Sequence, residues 1–117
     1  MKDFREKIAN SKRITNPGCH ASGFVSLVYP LVKAGILKKD AQLCSFSLTG
    51  YSGGGKKKIA EYEAENRSIA LDAPTQYKID QKHKHLKEMQ VICGIDKAPL
   101  FSPIIDDIYC GMETTVF

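Results

Sequence analysis

Three short stretches of this 117-residue chain combine residue types that could do chemistry. The first is Asn16-Pro17-Gly18-Cys19. Pro17 and Gly18 make a turn signal, and the apolar run Gly23–Val32 that follows is long enough for a buried helix. A thiol set on a turn at a helix N-terminus meets unpaired backbone N–H groups and the positive end of the helix dipole. Both favour thiolate, the nucleophilic form. The competing reading of Cys19 is a structural cysteine that behaves as a small hydrophobe.

The second stretch is Gly50-Tyr51-Ser52-Gly53-Gly54-Gly55-Lys56-Lys57. It approaches the G-x-x-x-x-G-K-[ST] phosphate loop but has Lys57 where a magnesium-binding hydroxyl belongs, which argues against a nucleotide triphosphatase. Glycines that let backbone N–H groups approach an anion, beside lysines, still suit a phosphate. The alternative is a flexible surface loop with a solvated lysine run. The third stretch is His83-Lys84-His85, where one imidazole could exchange a proton near neutral pH or both could sit on the surface. Zinc needs three or four ligands, and no second cluster supplies them, so no metal is expected.

Positioning these groups falls to a small set of elements. Residues 1–13 read as a short charged helix or arm, and 20–35 as a buried helix capped by Gly35. Residues 41–49 alternate Leu43, Ser45, Ser47 and Thr49 against Cys44, Phe46 and Leu48, a strand pattern. Gly50–Gly55 is a loop, and 56–66 is helical with Ile59, Tyr62 and Glu63 on one face. Tyr77–Lys82 reads as extended, and His85–Cys93 as a helix ended by Gly94. Leu100–Ile108 and Met112–Phe117 read as paired strands joined by a tight turn at Gly111. The order implies an α+β fold with a mixed, largely antiparallel sheet and helices on one face.

Composition sets the outer limits. At 43% apolar and 26% charged, the chain is ordinary for one soluble domain, residues 1–117. A net charge of +4 is too small to imply nucleic acid, and local lysines beside loops suit a small anion at least as well. No apolar stretch reaches the length of a membrane span, and no secretory h-region follows Met1. Cysteines at 19, 44, 93 and 110 form no C-x-x-C pair, so reduced thiols in the cytoplasm are the expectation. The final segment ends within a strand pattern, which reads as a domain cut from something longer.

Taken in order, Asn16–Cys19, Ser47–Lys56 and His83–Met89, with Phe101-x-Pro103 and Gly111-Met112-x-x-Thr115, resemble the N-acetyl-gamma-glutamyl-phosphate reductases. This arginine-biosynthesis family is related to aspartate-semialdehyde dehydrogenase, and the compact His83 block is most similar to its shorter subtype. The resemblance implies an NADPH-dependent reduction of an acyl phosphate to a semialdehyde. In that reaction Cys19 would displace phosphate to form a thioester, hydride would reduce it, and the thiohemiacetal would collapse to aldehyde. His83 would be the acid/base partner, with His85 and Glu88 supporting that region or orienting substrate. Asn16, Ser52, Gly53, Gly55 and Lys56 would bear on substrate or its phosphate. It also implies association through the sheet, as a homodimer or homotetramer.

The chain departs from the family pattern at three places. His20 stands where an aromatic residue is usual, Lys87 where proline is common, and Cys110 where a basic residue is usual. No G-x-G-x-x-G occurs, so the Rossmann domain of these enzymes is not expected within residues 1–117, and the chain by itself is expected to be inactive as a reductase. Two other classes are compatible with the residues: a non-catalytic interaction module, in which Cys19 and the lysine loop are structural, and a cysteine hydrolase built on Cys19 and His83.

Overall fold

The computed structural model describes residues 4–117. Helix α1 spans Arg5–Ala9 and α2 spans Cys19–Lys33. Strand β1, Cys44–Gly50, runs into a 3-10 turn at Tyr51–Gly54 and then α3, Lys56–Tyr62. A second 3-10 turn at Ile69–Asp72 precedes the two-residue β2, Thr75–Gln76. Helix α4, His85–Cys93, leads to β3, Leu100–Asp106, and β4, Met112–Val116. The strands form one mixed sheet in the order β2-β3-β1-β4. The expected α+β class therefore holds, with β1 antiparallel to β4 and β2 antiparallel to β3, around a central parallel pair.

Helix α2 ends where Gly35 turns into the left-handed region at φ 71° and the N–H groups of Ile36 and Leu37 reach back to the Leu31 carbonyl. Gly94 ends α4 in the same way at φ 67°. These helices pack on each other and on one face of the sheet. Ala21, Phe24, Val25 and Val28 of α2 meet Leu86, Met89 and Cys93 of α4 and Phe101 of β3 in a single core. Burying each large apolar side chain of this kind stabilises the fold by roughly 1.5–3 kcal/mol.

Two expectations need correction. Residues 100–117 do not form a hairpin, because β1 lies between β3 and β4. The connection is held across the end of β1 by bonds from Gly50 N to Gly111 O, Tyr51 N to Ile108 O and Ser52 N to Tyr109 O. Gly50 permits this approach: a Cβ there would lie 2.7–2.8 Å from the backbone of Ile108 and Cys110. The second correction is the extended Tyr77–Lys82, which instead turns, with Lys78 and Gln81 at positive φ; the extended pair is Thr75–Gln76 just before it. Gln81 nevertheless serves the sheet, because its side-chain amide exchanges bonds with both N–H and C=O of Phe101.

The alternating strand pattern is borne out in β1, whose two faces differ in burial. Ser45, Ser47 and Thr49 face the helices and are buried, whereas Cys44 and Phe46 are exposed. Alternation specifies two faces but not which one is covered, and here the polar face is covered.

Candidate functional site

Gly18 and Cys19 occupy the cap and first position of α2, so the thiol stands at the helix N-terminus and is exposed. Helix α4 holds that terminus. The carboxylate of Glu88, in its first turn, accepts a bond from Gly18 N at 2.7 Å. This carboxylate satisfies one of the orphan donors at the start of α2. His85, also at the start of α4, packs its ring edge directly over Gly18. A Cβ at Gly18 would fall inside that ring, so close approach rather than backbone angle demands glycine here.

The cavity beside Cys19 has a volume of about 460 Å³. Cys19, His83, His85 and Gly53 line it, and thus three blocks far apart in sequence meet at one place. Glu88 joins them through Gly18. Asn16, Ser52, Gly55 and Lys56 are not on its wall, whereas Lys58 and Lys84 are. Turning from Lys56 through the first residues of α3 places Lys58, not the lysine next to the glycines, on the cavity side. Its ammonium also pairs with Glu61 at 2.9 Å.

Three histidine rings cluster against this wall. His20 lies 5.7 Å from both His83 and His85, which are 4.5 Å apart, centroid to centroid. Burial lowers the pKa of each, and mutual repulsion adds to it for His20 and His83. His20 is pushed down to about 4. For His83 and His85, Lys84 deepens the shift and Glu88 opposes it. All three are therefore neutral at pH 7. His83 Nδ1 accepts from the His85 backbone N–H at 3.2 Å. In a neutral ring the hydrogen then sits on Nε2, which makes His83 a donor there.

His20 and Tyr77 are site residues that motif reading did not find. His20 is buried, with Nδ1 2.8 Å from Ser47 Oγ and Nε2 2.7 Å from the Tyr77 hydroxyl. Its departure from an aromatic residue was visible in the sequence, but the partners 27 and 57 residues away were not. Among the described residues, no group of three or more His, Cys, Asp or Glu side chains is placed to hold a metal ion. No helix among them is long and apolar enough to cross a membrane.

The fold is thus an α+β domain in which a mixed sheet is backed by two helices, with a cysteine at the start of one and a histidine pair at the start of the other. Residues 19–117 match the family model described as semialdehyde dehydrogenase, dimerisation domain, and the chain belongs to that family. It is 40% identical over 116 residues to the N-acetyl-gamma-glutamyl-phosphate reductase of Rhizobium etli, covering 98% of this chain and 37% of that protein. The reductase of the same name from Brucella ovis is 39% identical with the same coverage. N-acetyl-gamma-glutamyl-phosphate reductase 2 of a Nostoc species is 39% identical over 92% of this chain and 35% of its own length. The chain thus spans little more than a third of the curated relatives it matches.

Proposed function

We propose that the chain is the catalytic and subunit-association part of an NADPH-dependent reductase of N-acetyl-γ-glutamyl phosphate, with Cys19 as nucleophile. The observation that carries this reading is the meeting of Cys19, the His83–His85 pair and the glycine turn on one cavity. In the acylation step the Cys19 sulphur attacks the acyl carbonyl, a C–S bond forms, and the C–O bond to phosphate breaks. The thiol proton ends on the released phosphate. His83, with Nδ1 engaged by the backbone, offers Nε2–H to the carbonyl oxygen as negative charge gathers on it. Lys58 and Lys84 set positive charge on the cavity wall where a phosphate would leave.

Reducing the thioester to the aldehyde requires a hydride, and NADPH is the donor the family implies. The described residues contain no dinucleotide-binding turn that fits it. A cytoplasmic homodimer or homotetramer completes the proposal, its association supported by the dimerisation-domain match and by the exposed apolar sheet face.

The test needs no reductant. Incubating the protein with N-acetyl-γ-glutamyl phosphate alone is expected to release phosphate and leave the acyl group on Cys19, seen as a mass increase on that peptide. Cys19→Ser should abolish both. Phosphate release that survives Cys19→Ser, with no acyl group on the wild-type peptide, would overturn the nucleophile and favour an interaction module.

A further inference from the structure

Three lysines follow the glycine turn, and the fold treats them differently. Lys56 and Lys57 are exposed and lie off the cavity wall, whereas Lys58 is half-buried and on it. The stem of Lys58 lies against Gly54, where a Cβ would come within 2.4 Å of the lysine Cγ and 2.6 Å of its Cβ. Its ammonium stands 5.9 Å from the centre of the Tyr62 ring, which is buried and stacked on Tyr51 at 4.7 Å. The same ammonium pairs with Glu61 Oε2 at 2.9 Å. Glycine, ring and carboxylate thus hold one flexible side chain in place beside the cavity.

We propose that Lys58 is the cation that binds the substrate's phosphate, and that Glu61 is its resting partner, which gives up the ammonium when a phosphate enters the cavity. This rests on the acyl-phosphate reading of the site and adds a competition to it: Glu61 and the phosphate share one lysine. Two physical points carry the exchange. The side chains of Lys58 and Glu61 are 40% and 44% exposed, and a pair this open to water is weak. A phosphate brings more negative charge than a carboxylate and several acceptor oxygens, so it displaces Glu61.

The packing of the stem matters as much as the charge. A free lysine loses most of its rotamer freedom when it closes on a ligand, which weakens binding. Gly54 and the Tyr62 ring have already restricted Lys58, so less freedom is left to lose. Glu61 itself is exposed and off the cavity wall, so it holds the ammonium without filling the space a phosphate would take. Once the C–O bond to phosphate breaks, Glu61 recaptures the ammonium and the free phosphate leaves.

The experiment is a titration of the whole chain with inorganic phosphate, followed by phosphorus NMR line broadening. It is run at about 0.15 M salt, where repulsion from a distant exposed carboxylate is largely screened. Lys58→Met keeps an apolar stem against Gly54 and Tyr62 and loses only the ammonium, so phosphate should bind about tenfold more weakly. Lys58→Gln should do the same and serves if the first variant fails to fold. Glu61→Gln frees the lysine, and phosphate should bind roughly two- to fivefold more tightly. In the Lys58→Met background the Glu61→Gln gain should vanish. Phosphate affinity that is indifferent to Lys58 overturns the proposal, and so does a Glu61→Gln gain that survives without the lysine. A wild-type chain that binds no phosphate overturns it as well. Acyl transfer to Cys19 is scored separately on its peptide, so the nucleophile can stand while the lysine exchange fails, or the reverse.

Discussion

Gly18 carries a double load: its N–H is held by Glu88 and its bare Cα lies under the His85 ring. Gly18→Ala has to displace that ring or tilt the start of α2. It is expected to cost about 1–3 kcal/mol in urea unfolding, in line with overpacked sites, and to slow acyl transfer more than it raises KM. Glu88→Gln tests the other half of the contact. The amide can still accept from Gly18 N but no longer opposes the lowering of the His85 pKa, so the acid limb of the activity profile should move to lower pH. In the proposed acylation His83→Ala removes the donor to the carbonyl oxygen, and the single-turnover rate of phosphate release is expected to fall roughly 10²–10³-fold.

At the scale of elements, Arg67 shows how a polar segment is pinned. Its guanidinium forks onto both oxygens of Asp107 at 2.8 and 2.6 Å, reaches Asp72 at 2.6 Å, and donates to the Tyr62 carbonyl. That ties the end of α3 and the turn before β2 to the end of β3. Arg67→Lys keeps the charge and loses the fork, so its Tm should fall almost as far as that of Arg67→Ala. Nothing in the sequence marks Arg67, because its partners are set by the fold. Helices α2 and α4 were legible because each has an apolar face and a glycine stop. Strand β1 was legible as a strand, but its covered face was not: Ser47 is buried for the sake of His20, and the hydropathy of a serine cannot reveal that. The hairpin expectation failed because proximity in sequence favoured pairing β3 with β4, while the bonds from residues 50–52 carry the connection over β1. At the site, Cys19, His83 and His85 were visible as motifs; Lys58, Tyr77 and the role of His20 depend on side-chain direction.

For the whole molecule, the three lowered imidazoles set an acid limit on stability. An unfolded chain protonates its histidines near their ordinary value of 6.5, while folded His20 resists until about 4. The folded state therefore keeps its full stability above about pH 7, and loses it as pH falls from there towards 4, by up to about 3 kcal/mol from His20 alone. Urea midpoints measured across that range check this, and His20→Phe should flatten the dependence. The open sheet face makes a second prediction. Phe46, Leu100 and Phe117 are exposed there, 38%, 65% and 77% respectively, and Phe46→Asp is expected to shift the protein to monomer in light scattering. The central place of β1 also sets an order of events in synthesis. Its two neighbours are β3 and β4, more than fifty residues further along the chain. When β1 leaves the ribosome both of its edges are bare, and each stays so until those later segments emerge. During that interval the strand is a template for pairing with other chains. The serines on one side of it and the single phenylalanine on the other make it a poorer template than an unbroken apolar strand would be.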